Sequence, residues 1–265
     1  MKDRIEISVN AHVAEVKLDR ADKYNAIDVR MFEALGEAAD HVAADKSVRA
    51  VVLYGAGGNF CAGIDLDVMA SSDLDFTTAL VTPLKPSPAN LFQRAAYAWR
   101  ELRMPVIAAL EGVTFGGGLQ IAMGADLRYS SKDARFSIME SKWGLIPDMA
   151  ITTTLRHIIS PDRVKELAWT ARVLAAQEAL DYGLLTAVVD DPLAAAREMA
   201  KECATRSPDA VRGIKSLVNA AWQLSEADAL AMEAQLQGAV MGRENQIEAV
   251  RANLEKRAPE FQDYD

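Results

Sequence analysis

The sequence predicts an α/β domain with mainly parallel strands, followed by a helical C-terminal region. Two apolar runs, residues 48–54 and 105–110, are continuous enough to form strands buried on both faces. Segments of helical periodicity alternate with such strands, and from Asp162 onward the pattern is almost wholly helical. Alternating strands and helices are typical of a parallel sheet covered by helices with right-handed connections.

The N-terminal half begins with a predicted β-hairpin, because apolar and polar residues alternate over residues 5–9 and again over residues 13–18. Asp28 then caps a predicted helix whose apolar positions recur at helical spacing. Two further short strands are predicted at residues 127–130 and 135–138.

Residues 71–90 contain several prolines among polar residues and predict a loop or a broken helix. Farther along, Ser207 and Pro208 predict an N-cap with proline in the first turn of a helix. The helices predicted in the C-terminal region cover residues 162–171, 176–182, 193–206, 208–218, 226–241 and 244–256.

Composition excludes several classes of protein. The 265 residues are 50% hydrophobic and 25% charged, as in ordinary globular chains, and the net charge of −9 argues against a nucleic-acid surface. Cys61 and Cys203 lie far apart, so neither a disulfide scaffold nor a zinc site is expected, and no metal site is predicted. No apolar run approaches membrane-spanning length, and the first residues lack an apolar leader, so a cytoplasmic location is expected.

A glycine triplet, Gly116-Gly117-Gly118, is the most informative motif. It follows the predicted strand 105–110 and leads into residues 119–123, which have helical character. Glycine lets a backbone lie against a ligand, and a helix N-terminus presents free N–H groups. The motif therefore predicts a place to hold an oxygen that becomes negative during a reaction, although a tight turn with close strand–helix packing is the simpler interpretation.

Three other segments, residues 55–66, 136–140 and 143–148, stand in order around this triplet. Together the four motifs resemble the crotonase superfamily, also called the enoyl-CoA hydratase/isomerase family, over nearly the whole chain. The resemblance implies a spiral of ββα units over residues 1–195 that binds an acyl-CoA thioester, and a helical trimerisation region over residues 196–265. It implies a homotrimer or hexamer, no membrane or nucleic-acid partner, and no cofactor besides the CoA of the substrate.

The resemblance also assigns backbone donors for the thioester oxygen. These are the N–H groups of Ile64 and Gly117, and Gly117 is expected to lack a side chain so that the ligand fits. Arg20 and Lys23 are candidate phosphate contacts, as are Lys215, Lys256 and Arg257 on the late helices. Asp65 has the simpler alternative of capping the next helix. The predicted substrate-binding residues are Lys23, Ala26, Ala62, Gly63, Asp65, Leu66, Gly116 and Gln120.

Proton transfer is assigned to Glu140 and Asp148. Hydratases of the family have two glutamates twenty positions apart, and this chain has Gln120 and Glu140 there. An amide cannot exchange a proton at physiological pH, so Glu140 stands alone at this pair of positions. Asp148 lies among apolar residues, where its pKa should be raised, although it could instead cap a helix that begins near Ala150.

The spacing of Glu140 and Asp148 resembles the Δ3,5–Δ2,4-dienoyl-CoA isomerases, which have an aspartate where this chain has Gln120. The leading hypothesis is therefore an enzyme that shifts double bonds through a thioester enolate, with the two acids facing each other across the acyl chain. The alternatives are a hydratase in which Gln120 positions water for Glu140, an aryl-CoA dehalogenase with Asp148 as nucleophile, and a non-catalytic RNA-binding or scaffold member of the family.

Overall fold

The computed structural model describes residues 3–70 and 76–263, and these residues form nine strands and twelve α-helices. The strands are β1 (Ile5–Asn10), β2 (Val13–Leu18), β3 (Ala50–Gly55), β4 (Val106–Leu110), β5 (Val113–Phe115), β6 (Leu127–Ser130), β7 (Arg135–Ser137), β8 (Leu174–Ala175) and β9 (Ala187–Val188). The helices are α1 (Val29–Ala44), α2 (Leu66–Ala70), α3 (Phe76–Val81), α4 (Leu91–Glu101), α5 (Gly117–Met123), α6 (Ile151–Thr154), α7 (Pro161–Thr170), α8 (Ala176–Asp181), α9 (Pro192–Ala204), α10 (Pro208–Ala221), α11 (Glu226–Val240) and α12 (Glu244–Glu255).

The main sheet has the strand order β1-β2-β3-β4-β6-β9 within the described residues. Strands β1 and β2 form the predicted antiparallel hairpin, and all later neighbours in this sheet are parallel. The predicted cap of α1 is also present, since the Asp28 carboxylate accepts a hydrogen bond from the Met31 N–H at 2.9 Å. Each strand and helix predicted above is found, with ends within three residues of the expected ones.

Both faces of β3 and β4 are covered, which explains their continuous apolar sequences. Successive side chains of a strand point to opposite faces. On one face Val52 and Ile107 pack against Ala196 and Ala200 of α9, whose small side chains let the helix lie close to the sheet. On the other face the strands join the larger core formed with α1, α4 and α5.

A second stack of short strands runs beside the main sheet. Strand β5 pairs with β7 in parallel, β7 pairs with β8, and Cys61 forms an isolated parallel bridge to Thr114 of β5. The chain therefore repeats one path: a strand of the main sheet, a short segment of the second stack, and a helix. This path is followed by β3, Cys61 and α2, then by β4, β5 and α5, and again by β6 and β7.

The segment 71–90 was predicted to be a loop or a broken helix. Residues 71–75 lie outside the described residues, and α3 is a short helix in the part that is described. The segment ends at Asn90, whose side chain accepts from the Gln93 N–H at 2.9 Å and caps α4.

The late helices begin with α10, and Ser207 and Pro208 occupy the predicted cap and first turn. The expected boundary at residue 195 falls inside α9, which packs on the main sheet through Ala196 and Ala200. We therefore propose that the boundary of the helical region lies after α9. Among the described residues, no helix is both long enough and apolar enough to cross a bilayer.

Candidate active site

Three short parallel segments end side by side, and each is followed by a backbone N–H group or a carboxylate that belongs to the predicted site. Cys61 pairs with Thr114 of β5, and β5 pairs with β7. Within two or three residues of these ends the chain reaches Ile64, Gly117 and Glu140. Parallel strands present their carboxyl ends at one edge, where ligands of open α/β folds bind. The topology thus brings together three groups that are distant in the sequence.

The backbone N–H groups of Ile64 and Gly117 donate to no acceptor within residues 3–70 and 76–263. The Ile27 N–H donates to the Gly63 carbonyl at 2.8 Å, and the Asp65 N–H donates to the Ile27 carbonyl at 2.9 Å. This pairing uses the residues on either side of Ile64 and leaves its own N–H unbound. Gly117 begins α5, where first-turn N–H groups have no partner in the helix.

Gly63 allows the two donor segments to touch. Its φ of +92° lies in the left-handed region, and an added Cβ would lie 2.8 Å from the Phe115 carbonyl oxygen and 3.6 Å from the Gly117 nitrogen. Gly116, with φ +51°, faces Glu140 instead, since its Cβ would lie 3.4 Å from Oε1 of that residue. The carboxylate of Glu140 therefore lies beside the turn that carries the Gly117 donor.

The reason given above for glycine at position 117 is not the one that the structure shows. A Cβ there would meet the Met149 Sδ at 2.9 Å and the Ile27 Cδ1 at 3.0 Å. Both are buried side chains of the core. Core packing behind the donor turn, rather than room for the ligand, therefore accounts for the missing side chain.

Glu140 is almost wholly buried, at 6% exposure. Its Oε1 accepts a hydrogen bond from the Gln120 Nε2 at 2.6 Å, and its buried Oε2 has no partner in the described part of the chain. Burial raises the pKa of Glu140, and the negative charge of Asp148 raises it further, while the Gln120 hydrogen bond opposes the shift. A carboxyl group with a raised pKa suits proton transfer near neutrality.

Gln120 is also buried, and both ends of its amide are bound by the protein. Its Nε2 donates to Glu140, and its Oε1 accepts from the Met149 N–H at 2.8 Å. The side chain is not part of the cavity wall. In the described structure the polar atoms of Gln120 connect Glu140 to the segment that follows Asp148, and its predicted contact with the substrate stays a prediction.

Asp148 does not cap α6. The N-cap position of that helix is Ala150, and no side chain caps it. Asp148 is half-buried, and desolvation raises its pKa. It precedes Met149, so the Gln120 hydrogen bond tethers it near Glu140, although it does not line the cavity itself.

A cavity of about 440 Å³ opens beside these groups. Ten of the twelve residues predicted to form the site or to contact the substrate line this cavity, and Asp148 and Gln120 do not. The lining residues are Lys23, Ala26, Ala62, Gly63, Ile64, Asp65, Leu66, Asp67, Gly116, Gly117, Met139, Glu140, Trp143 and Leu145.

The sequence model of the family described as enoyl-CoA hydratase/isomerase matches residues 8–264 of this chain. The chain belongs to the enoyl-CoA hydratase/isomerase family. A carnitinyl-CoA dehydratase of Proteus mirabilis is 34% identical, over 98% of this chain and 99% of that protein. A mitochondrial Δ(3,5)-Δ(2,4)-dienoyl-CoA isomerase of Mus musculus is 32% identical, over 94% of this chain and 79% of that protein.

The fold of this family member matches solved structures as well. The crystal structure of an enoyl-CoA hydratase from Bacillus anthracis superposes with a TM-score of 0.88 at 29% identity, covering 97% of this chain and 98% of that chain. The predicted crotonase-like α/β fold with C-terminal helices is thereby confirmed. Its relatives carry the names of a dehydratase, an isomerase and a hydratase, so membership establishes an acyl-CoA enzyme and leaves the particular reaction open.

Several basic residues expected to contact CoA phosphates instead stabilise the fold of this family member. Arg20 lies 2.7 Å from the Asp65 carboxylate and donates to the Ala26 carbonyl at 2.9 Å. Asp65 also accepts from the Asp67 N–H at 3.1 Å, which is the capping role given above as the simpler alternative. Lys23, in contrast, lines the cavity as predicted.

Two of the late-helix cations are likewise paired within the chain, and the phosphate contact of Lys256 stays a prediction. Lys215 is buried, and its Nζ lies 2.7 Å from the Asp126 carboxylate while donating to the carbonyls of Trp99 and Met104. Arg257 is paired with the Glu248 carboxylate. Lys256 occupies the C-cap of α12 in a left-handed conformation. A buried charge needs partners, and the partners of Lys215 all lie within the protein. Lys215 therefore attaches α10 to the core and does not face a ligand.

Sequence reasoning missed the apolar part of the wall and the anchor behind it. Met139, Trp143 and Leu145 line the cavity, and Met149 receives the Gln120 amide. Trp143 and Leu145 are 47% and 44% exposed and lie in the part of the chain that follows Glu140. Their position directly after Glu140 was the available signal, since exposed apolar side chains beside a polar centre often contact a ligand.

The raised pKa of Asp148 leads to a prediction about stability. A carboxyl group whose folded pKa exceeds the unfolded value, about 3.9 for aspartate, contributes stability at low pH that is lost as pH rises through the folded pKa. Asp148→Asn should therefore raise the melting temperature at pH 7 relative to the native chain. Calorimetry at pH 4 and pH 7 checks this, and a gain that is no larger at pH 7 than at pH 4 would contradict it.

Proposed function

We propose that this family member shifts a double bond of an enoyl-CoA or dienoyl-CoA by proton transfer through a thioester enolate. The observation that carries the proposal is the meeting of two unbound N–H donors with Glu140 at one strand edge, together with a second carboxyl group, Asp148, tethered close by. The substrate is an acyl-CoA thioester, and we propose no further cofactor and no metal.

The N–H groups of Ile64 and Gly117 would hold the thioester carbonyl oxygen. Removing a proton from the carbon next to that carbonyl places negative charge on the oxygen. A preorganised backbone donor contributes about 3–4 kcal/mol to stabilising such a charge. Because the Gly63 turn lies against the Gly117 turn, both donors can address one oxygen without rearrangement.

Glu140 and Asp148 would act as the base and the acid, one removing and one delivering a proton. Burial raises the pKa of both groups above the ordinary carboxyl value, which is the direction that suits a general acid or base working near neutrality. The named dienoyl-CoA isomerase relative supports this assignment. Water addition by two carboxylates at one edge is disfavoured here, because position 120 carries an amide that the protein itself uses.

A second candidate is hydration or dehydration with Glu140 as the sole acid. One observation favours it: Glu140 lines the cavity and Asp148 does not. A relative named as a dehydratase is consistent with it. Aryl-CoA dehalogenation with Asp148 as nucleophile is less favoured for the same geometric reason.

The experiment that separates the candidates is a panel of a 2-enoyl-CoA, a 3-enoyl-CoA and a 3,5-dienoyl-CoA. We expect double-bond shifts of the 3-enoyl or 3,5-dienoyl compound, followed by ultraviolet absorbance, to exceed hydration of the 2-enoyl compound. Hydration as the dominant turnover would support the second candidate instead.

We also propose that the chain assembles into a homotrimer or a hexamer through its late helices. Ile214 and Val218 of α10 and Trp222 at its C-cap recur every four residues and are 62%, 49% and 69% exposed. An apolar stripe of this kind indicates a protein contact. Light scattering should give the mass of three or six chains, and Trp222→Asp should lower it. A monomeric native chain would contradict the proposal.

A further inference from the structure

Gln120 connects three parts of the site through one buried side chain and its own backbone. Its N–H donates to the Gly116 carbonyl at 3.1 Å, which fixes the turn of the Gly117 donor. Its Nε2 donates to Glu140 at 2.6 Å, and its Oε1 accepts from Met149 at 2.8 Å. The residue is 1% exposed, so these contacts are shielded from bulk solvent.

We infer that Gln120 is a positioning residue that fixes the Glu140 carboxylate against the donor turn and holds Asp148 within reach of it. The inference rests on the proposed function only in assigning the two acids. Gln120 is not among the residues that line the cavity. It acts through Glu140 and through the backbone of Met149.

The hydrogen bond to Oε1 selects which oxygen of Glu140 reacts. With Oε1 held by the amide, the unpartnered Oε2 is the atom left to take or give a proton. An amide donor also favours the ionised carboxylate, since hydrogen bonds to a charged form stabilise it. Gln120 thereby determines the orientation of the Glu140 carboxylate and lowers its proton affinity.

The closeness of position 120 to Glu140 also explains why this chain has a neutral amide there. A carboxylate there would lie at hydrogen-bond distance from Glu140, whose pKa Asp148 already raises by its charge. Like charges at this distance strongly disfavour ionisation. Helix α5 carries no charged side chain. The described residues with ionisable side chains on the elements around it and around Glu140 are Lys142 on the turn of Glu140, Lys23, Asp65 and Asp67 in the cavity wall, Asp148, Arg94, Tyr97, Arg100 and Glu101 on α4, Arg135 on β7, and Asp162, Arg163, Lys165 and Glu166 on α7.

The test measures the Glu140 pKa directly and does not depend on the reaction. The protein is labelled with [δ-¹³C]glutamate, and the Glu140 signal is assigned as the one missing in Glu140→Gln. Gln120→Met removes both side-chain hydrogen bonds at similar volume. Gln120→Glu keeps an oxygen that accepts from the Met149 N–H, and it replaces the amide N–H donor to Glu140 with a second carboxyl oxygen. Gln177→Met is the matched control, because the Gln177 amide donates to Asp181 on the exposed face of α8.

We expect the pKa of Glu140 to rise in Gln120→Met and in Gln120→Glu, and to stay unchanged in Gln177→Met. At pH 7, kcat should fall about tenfold to a hundredfold in Gln120→Met with little change in KM, as for loss of positioning of a catalytic group. The acidic limb of the pH–rate profile should move to higher pH with the Glu140 pKa.

An unchanged Glu140 pKa in a folded Gln120 variant would overturn the inference. If Gln120→Met fails to fold, Gln120→Glu alone decides, because it retains the bond to Met149. Unchanged kcat and pH profile in both variants would also overturn it. A raised pKa in a chain whose native form shifts no double bond would refute the proposed function and leave the positioning role intact, because the titration needs no turnover.

Discussion

Glu140→Gln and Asp148→Asn should each reduce double-bond isomerisation by about 10²–10⁴-fold, the contribution typical of a positioned acid or base. Both substitutions keep size and hydrogen bonding but remove proton exchange. Gln120 can still donate to the side-chain oxygen at position 140, so the site should keep its geometry. The measurement is kcat on the substrate that the panel identifies. Asp133→Asn, in the exposed turn before β7, is the control and should match the native chain.

The two substitutions distinguish the two candidate reactions. A hydratase built on Glu140 alone should lose nearly all activity in Glu140→Gln and little in Asp148→Asn. If Asp148→Asn leaves isomerisation intact on every substrate tested, the two-acid mechanism is wrong. Hydration with Glu140 as sole acid would then be the better account.

Gly63→Ala should reduce turnover by about 10²–10³-fold, the cost of losing one oxyanion donor. The φ of +92° is strained for alanine, and the new Cβ would lie 2.8 Å from the Phe115 carbonyl oxygen. The donor loop must therefore move away from the Gly117 turn, so the two N–H groups no longer address one oxygen. Turnover and the affinity for a CoA thioester measure the effect.

Gly242→Ala provides the matched control for that variant. Gly242 also has positive φ, at +75°, but a Cβ there meets nothing within 4 Å. Both variants therefore carry backbone strain, and only Gly63→Ala disturbs the donor turn. Equal turnover in the two variants, with both folded by circular dichroism, would show that Ile64 and Gly117 do not hold the reacting oxygen.

Local sequence was enough to predict the strands and helices, and the family resemblance added the backbone donors of the site. Continuous apolar runs at β3 and β4 reflect burial on two faces, and a glycine triplet between a strand and a helix reflects a turn with free N–H groups. Glu140 follows β7 at a short, fixed distance. Each of these signals depends on neighbouring residues, which a single sequence displays.

The partners of long charged side chains could not be predicted in the same way. Arg20 and Asp65, and Lys215 and Asp126, are far apart in the chain and meet only when the fold is complete. Nothing in the local pattern separates a cation that pairs internally from one that awaits a phosphate. The hydrogen bond from the Met149 N–H to Gln120 could not be predicted either, because every residue except proline has a backbone N–H and the sequence does not show where it points.

The most direct test of the two-acid enolate mechanism is turnover of a 3,5-dienoyl-CoA in D₂O. Moving the double bonds to the 2,4 positions removes a proton from C2 and adds one at C6. With Glu140 and Asp148 acting as separate base and acid, the product should carry about one solvent deuterium at C6, found by NMR and mass spectrometry. Complete transfer of the substrate's own proton from C2 to C6 would contradict the mechanism. So would a chain that leaves the 3,5-dienoyl-CoA unchanged and only hydrates a 2-enoyl-CoA.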